Sequence, residues 1–362
     1  MKKTPFFEIH TRFGAKMSLF GGYQMPIQYS GVRQEHLAVR HNLGVFDVSH
    51  MGEFWVEGPH AFDLLQFICS NDISKLIPGK AQYNYLPNEE GGIVDDLIVY
   101  QLHAEKYLLV VNASNIEKDW NHILKHNKKF NARLNDVSEK TALLAIQGPK
   151  SIVAMQSICD AQLDLLSHYS HTNTTFAGVK NVMVATTGYT GAEGIEIYFD
   201  VAEAEKIWKA VMKAGADFGI LPAGLAARDT LRLEMGYCLY GNEIDDHTSP
   251  ISAGLGWVTQ PLTGFLNAPL LQKSMQEGTT EKLVGFQVDE RGIPRSGYLL
   301  FDTDQNPIGR VTSGTQSPSL NKGIGLGYVK TAFSKPGHKL SLQIREKLVP
   351  ATVVKLPFVK PS

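Results

Sequence analysis

The chain is poor in cysteine: among 362 residues there are three, Cys69, Cys159 and Cys238, widely separated and without a C-x-x-C pair. So small and scattered a set argues against a disulfide framework, suggests no zinc or other metal site, and fits buried thiols in a reducing compartment. Charge of one sign is missing too, because 35 lysines and arginines meet 36 aspartates and glutamates. Neither a nucleic-acid nor an anionic-membrane partner is therefore expected. No apolar run approaches the roughly 18 residues of a membrane span. The opening Met1-Lys2-Lys3-Thr4-Pro5-Phe6-Phe7-Glu8 is basic but lacks the apolar core of a secretory signal. Together these absences lead to the expectation of a cytoplasmic protein. Two glycine-rich segments fail as nucleotide loops. Thr187-Gly188-Tyr189-Thr190-Gly191-Ala192-Glu193-Gly194 has no Gly-Lys-Ser/Thr ending, and Gly323-Ile324-Gly325-Leu326-Gly327 has no helix after it. No flavin or nicotinamide is expected.

What the chain does have is a strand carrying charge in apolar surroundings. Glu90-Gly91-Gly92-Ile93-Val94-Asp95-Asp96-Leu97-Ile98-Val99-Tyr100 is a glycine turn entering a strand with two adjacent carboxylates. Alternation sends Asp96, Ile98 and Tyr100 to one face and Asp95, Leu97 and Val99 to the other. Carboxylates are seldom buried without a partner, so a solvated strand end is the plainest account. The neighbours supply partners. Ala81 to Leu86 reads as the preceding strand, and folding Pro87 to Gly92 back symmetrically sets Leu86 against Ile93 and Tyr83 opposite Asp96. Tyr107 to Asn112 reads as the next strand, and a turn centred on Ala104 brings Asn112 opposite Asp96 from the other side. The expected row Tyr83, Asp96, Asn112 would be destroyed by a one-residue slip. A carboxylate flanked by a phenol and an amide can recognise and deprotonate an N–H compound.

Along the rest of the chain, Val32 to Asn42 reads as a helix stopped at Gly44, followed by the turn around His50 and the strand Glu53 to Glu57. His50 invites a catalytic role, but a lone loop histidine is more often structural. Ser114-Asn115-Ile116-Glu117 has the pattern of a capping box starting a helix that buries Trp120, Ile123 and Leu124. Strand, Gly-Pro, then an apolar-striped helix occurs at Gly58-Pro59 and again at Gly148-Pro149. Strands in runs with helices between groups indicate two related α+β units with antiparallel sheets, at 1–140 and 141–275. Duplicated units offer a cleft for a ligand. In the second unit a glycine-spaced turn precedes a strand bearing Glu196, and Leu221 to Glu234 forms a helix in which Arg228 or Arg232 has Asp229 or Glu234 as a local partner. From 282 to 362, short strands divided by Gly, Pro, Asn and Asp indicate an all-β barrel or sandwich.

With these motifs assembled, the sequence resembles the glycine cleavage T-protein family, the tetrahydrofolate-dependent aminomethyltransferases, from Thr4-Pro5 to Pro357-Phe358. The matching segments include Gly44-Val45-Phe46-Asp47-Val48-Ser49-His50-Met51-Gly52, Gly91-Gly92-Ile93-Val94-Asp95-Asp96, Gly188-Tyr189-Thr190-Gly191 and Pro222-Ala223-Gly224-Leu225-Ala226-Ala227-Arg228-Asp229. The resemblance implies three domains around a folate-holding centre, the last a β-barrel. It implies Asp96 beside the folate nitrogens with Tyr83 and Asn112, Glu196 and Arg228 at the pterin end, and Tyr189 and Met51 lining the pocket. It further implies transfer of a methylene from the aminomethyl-lipoyl arm of the H protein to tetrahydrofolate, with release of ammonia. A monomer or weak oligomer is expected. The chain departs from the family where Gly191-Ala192-Glu193-Gly194 replaces the usual Gly-Glu-Asp-Gly, and where Thr263-Gly264-Phe265-Leu266-Asn267-Ala268 replaces a Gly-Lys/Arg segment. Both changes are expected to touch loop packing or carrier docking more than folate. Two other readings stay open. One is a folate-binding scaffold without transferase activity, although no cysteine here follows Lys-Gly. The other is a folate-linked demethylase, although the flavin partner of such enzymes has no fold here.

Overall fold

The computed structural model describes residues 1–361. Its helices and strands arise where the sequence is periodic. The Ala61–Ile68 helix turns Ala61, Leu64, Leu65 and Ile68 inward, and with Ile123 of the Ile116–Asn127 helix they cover one face of a five-stranded sheet. That sheet runs in the order Lys80–Pro87, Ile93–His103, Lys106–Val111, Gly52–Glu57, Arg133–Asp136. A six-stranded sheet runs His171–Phe176, Val179–Ala185, Gly194–Asp200, Thr141–Gln147, Leu43–Asp47, Ile220–Pro222, and is covered by Met155, Ile207, Trp208 and Val211 of its own helices. The uncovered faces meet each other. Between them lies a core of Phe46, Val48, Leu108, Val110, Leu143, Ala145, Met183 and Tyr198. Each fully buried aliphatic there is worth about 1.5–3 kcal/mol, comparable to the cost of one poorly paired buried polar group. A few polar side chains can therefore be carried in this layer.

The two sheets repeat one plan and exchange a strand. Leu43–Asp47 precedes the first sheet in sequence yet pairs antiparallel with Thr141–Gln147, with Asp47 opposite Leu144. Arg133–Asp136 precedes the second-sheet strand but pairs with Gly52–Glu57, with Asp136 opposite Phe54. Both end in Asp-Val-Ser. In each turn the aspartate accepts the serine N–H at 2.9 Å. The serine hydroxyl then accepts an N–H across the exchange, Ser49 from Leu143 at 3.0 Å and Ser138 from Glu53 at 2.9 Å. Leu43–Asp47 thus lies within the first expected unit, 1–140, but hydrogen-bonds into the second sheet.

The last strands, from Glu281–Val288 to Lys347–Val354, close into a six-stranded barrel. It docks on the Leu225–Met235 helix through buried charge. Arg232 pairs with Glu243 at 2.8 Å and donates to Ser313 at 2.8 Å, and Ser317 donates to Glu234 at 2.6 Å. Two local expectations change. Gly44 lies inside a strand and Asn42 ends the preceding helix. Ser114 makes no cap: residues 113–115 form a 3-10 turn, and Asn115 turns its amide onto Asp95. Leu124 stays 40 % exposed, while Ile123 is buried. No helix among the described residues is long and apolar enough to cross a membrane.

Candidate active site

The strand Ile93–His103 sets the site. Its pairing with Lys80–Pro87 puts Tyr85, not Tyr83, opposite Asp96: the turn sets Pro87 instead of Leu86 against Ile93, and a bulge at Leu86/Pro87 adds one residue more, a shift of two from the symmetric turn. The turn is built by Asn88, whose side-chain oxygen accepts the N–H of Gly92 at 2.8 Å and of Glu90 at 3.0 Å. A side chain at Gly92 would meet the Asp246 carbonyl oxygen at 1.8 Å, so only glycine fits. An even shift keeps every side chain on its face. Tyr83 therefore still shares a face with Asp96 and reaches it diagonally, its hydroxyl donating to Oδ2 at 2.9 Å. On the other side Ile98 pairs with Val110, and Asn112 Nδ2 donates to Asp96 Oδ1 at 2.8 Å. The expected trio is together, through a diagonal contact on one side.

Asp95, on the opposite face, is fully buried and accepts three N–H bonds: from Asn112 N at 2.9 Å, Asn112 Nδ2 at 2.9 Å and Asn115 Nδ2 at 2.6 Å. Burial, and next the negative charge of Asp95, push Asp96 up to about 7. Asp96 is thus poised to gain or lose a proton near neutrality.

The second sheet and the Leu225–Met235 helix supply the other pole. Glu196 pairs with Ala145 and Ala185, two small residues, on the neighbouring strands. Burial pushes it up, against the 2.5 Å hydrogen bond from Thr187 Oγ1 and the charge of Arg228. The Arg228 guanidinium lies 4.8 Å from the centre of the Tyr189 ring. The local alternative is taken by Arg232, which binds Asp229 at 2.8 Å, while Glu234 binds Arg40. Tyr189 stacks on Tyr237 with centroids 5.8 Å apart and donates its hydroxyl to the Cys238 carbonyl. The charges of both Asp96 and Arg228 act on its hydroxyl, which burial pushes up. Met51 packs against the inter-sheet core. Met51, Tyr83, Asp96, Asn112, Tyr189, Glu196 and Arg228 are all half-buried, whereas their strand neighbours are mostly buried. That pattern fits residues lining a common recess. None of the seven lines the open surface groove of about 790 Å³ along residues 30–42.

Several members of the site are not legible in sequence. Tyr100 binds Thr187 and Tyr198 at 2.9 Å each, which braces the group holding Glu196. Trp257, 65 % exposed, stacks on Tyr83 with centroids 5.8 Å apart. An isolated exposed tryptophan was the available signal for it. His50 is buried against Phe20 and Tyr23, and burial together with nearby Arg228 pushes it down to about 4, so it is neutral at pH 7. The Cys69 and Cys238 thiols are pushed up by burial and do not supply a thiolate. Among the described residues no group of three or more His, Cys, Asp or Glu is placed to hold a metal ion.

A half-buried acid poised near neutrality at one pole, and a carboxylate with an arginine over an aromatic ring at the other, define a group-transfer enzyme that orients its substrates and handles a proton. Comparison with known proteins narrows this class. Residues 6–261 match the GCVT N-terminal domain, and residues 281–360 match the glycine cleavage T-protein C-terminal barrel domain. The chain therefore belongs to the glycine cleavage T-protein family. It is 56 % identical over 362 residues to an aminomethyltransferase of Bacteroides thetaiotaomicron, covering 99 % of this chain and all of that protein. It is 55 % identical over 360 residues to that of Flavobacterium psychrophilum, with the same coverage. The crystal structure of the glycine cleavage system aminomethyltransferase T from Bartonella henselae superposes with a TM-score of 0.92 at 35 % identity, over 99 % of this chain and 98 % of that one.

Proposed function

We propose that this aminomethyltransferase of the glycine cleavage system takes tetrahydrofolate as co-substrate in the recess between Asp96 and Glu196, and receives its one-carbon unit from a lipoylated carrier, the H protein. The residues suit a pterin. Glu196 can accept from ring amide and amino N–H groups, Arg228 can donate to ring acceptors, and Tyr189 offers a flat face beside both. Transfer moves the methylene from the carrier's sulfur–carbon–nitrogen linkage to two folate nitrogens. Those nitrogens give up two protons, and ammonia and the carrier thiol leave. Asp96, held by Tyr83 and Asn112, holds or takes a proton at the folate nitrogen that attacks. Orientation can supply a large part of such a rate enhancement, and a placed carboxyl adds about 10²–10⁴-fold.

The observation that carries the reading is Asp96 fastened on both sides and pushed up to about 7. Single-turnover formation of 5,10-methylenetetrahydrofolate and ammonia from aminomethyl-lipoyl carrier tests it. Asp96→Asn is expected to bind folate but transfer at least about 100-fold more slowly. A wild-type protein that binds folate and never transfers the methylene is a folate-binding scaffold.

A further inference from the structure

Asp119 is a buried acid to which the transfer chemistry gives no part. It lies on the Ile116–Asn127 helix with no exposed surface, and neither of its carboxylate oxygens meets a donor N–H or hydroxyl. An ionised carboxylate in that position is costly. Asn115, four residues before it and so on the same side at the start of that helix, donates its amide at 2.6 Å to a second buried acid, Asp95, so Asp119 faces the same acid one turn on. Asp95 already accepts from the Asn112 backbone, the Asn112 amide and the Asn115 amide. All of its polar neighbours donate, and a carboxyl joins such a shell only by donating its own O–H. Asn112 also binds Asp96, so one amide ties the two strand acids together.

We propose that Asp119 is a positioning residue: it stays a neutral acid, donates its O–H to Asp95, and so keeps Asp95 ionised beside Asp96, whose hold on its proton that charge sets. The inference deepens the reading of Asp96 as the proton-handling group and rests on it. Burial and then the charge of Asp95 push Asp119 up to about 11, so it keeps its proton at neutral pH. Asp95 is pushed up by burial too, but less freely, because Asp119, Asn112 and Asn115 all hydrogen-bond its charged form. Lys118 is the cation facing Asp119, and it is engaged by Asp246 at 3.1 Å and by the Tyr240 hydroxyl at 2.6 Å. Tyr240 also faces Asp95. Around Asp96 the other titratable groups are Tyr83, Tyr169, Tyr189 and Cys238, each itself pushed up and so neutral at pH 7. The variable charge next to Asp96 is that of Asp95.

The test uses the full-length protein with Asp119→Asn, Asp119→Val and Asp95→Asn, and reads the pH at which the single-turnover transfer rate is half-maximal. Asp119→Asn keeps a neutral donor and is expected to hold that midpoint within about 0.3 unit, whereas Asp119→Val and Asp95→Asn move it down by about 1 unit or more. A merely structural Asp119 would lower the melting temperature of the valine variant and leave the midpoint in place, which would overturn the proposal. So would a shift in Asp119→Asn as large as that in Asp95→Asn, since Asp119 would then have carried charge. Infrared difference spectra at pH 8 give an independent reading without substrate. A protonated-carboxyl C=O band present in wild type and lost in Asp119→Asn is expected, with the band of buried Glu53 common to both. Identical spectra would overturn the proposal even if transfer proceeds. Wild type that transfers nothing would sink the Asp96 reading instead, while the spectra still decide the state of Asp119.

Discussion

The two sheets share a plan but not a chemistry. Each begins with an exchanged strand ending in Asp-Val-Ser, continues through Gly-Pro and an apolar-striped helix, and presents its inner face to the other. The first carries paired acids where the interior strand Ile93–His103 begins, bound by the Asn112 amide just past the end of the neighbouring strand. The second carries one carboxylate paired between two alanines, within the field of an arginine supplied by a helix. A repeated backbone thus sets two unlike poles across one layer, one able to move a proton and one able to pair with a ring. The exchange of strands also explains why neither unit is closed without the other.

The Asp-Val-Ser turns provide the sharpest way to break this comparison. Asp47 is 2 % exposed and accepts from Thr4 at 2.6 Å, His10 at 2.9 Å and Ser49 at 2.9 Å, whereas Asp136 is exposed and bonds only within its own turn. Chemical denaturation is expected to show Asp47→Ala losing about 3–5 kcal/mol, since it leaves buried donors unpaired. Asp136→Ala should lose about 0.5–1.5 kcal/mol. Equal losses would mean that the two turns do equivalent work and that the burial of Asp47 is incidental.

A smaller effect separates the poles. Glu196→Gln exchanges a charged acceptor for a neutral one and should weaken tetrahydrofolate binding about 10–100-fold. Its transfer rate at saturating folate should stay within about 3-fold of wild type, the reverse of the pattern expected for Asp96→Asn. Titration calorimetry beside single-turnover kinetics decides, and a variant that binds normally but transfers slowly would make Glu196 part of the proton chemistry.

The smallest effect concerns pH. Asp96 binds its proton more tightly folded, at about 7, than unfolded, at about 3.9. Between these values the native state holds more protons than the unfolded one, so this group's contribution falls as pH rises from about 4 to 7. Asp96→Asn has no such proton to lose. Its stability relative to wild type should therefore rise through that window and level off above pH 7, by about 1–3 kcal/mol after allowance for solvent screening of a half-buried group. Melting curves at pH 5 and pH 8 that differ equally from wild type would show that burial does not perturb Asp96.

Local pattern was enough for several of these features. Alternation assigned Asp96 to the face it occupies, Gly-Pro followed by apolar spacing located the Ala61–Ile68 and Ser151–Gln156 helices, and turn-rich short strands marked an all-β end of barrel or sandwich type, which closes as a barrel. Face assignment survived a two-residue error in register because side-chain parity repeats every two residues. Tyr83 could then meet Asp96 along a diagonal that symmetric folding of the turn did not foresee. The sequence by itself determined most of the helices and the strands that flank Asp96, and which residue types stand ready on each face, though not the strand Leu43–Asp47 or the start of the Ile116–Asn127 helix. These depend on neighbours within a turn or two of chain. Tertiary structure alone decided that Leu43–Asp47 crosses into the second sheet, that Arg228 lies over the Tyr189 ring while Arg232 takes the local partner, and that the helix carrying the buried Asp119 starts with Asn115 bonded to Asp95. Each joins surfaces far apart in sequence, and their approach is settled by how whole sheets and helices pack, for which no local period carries a signal.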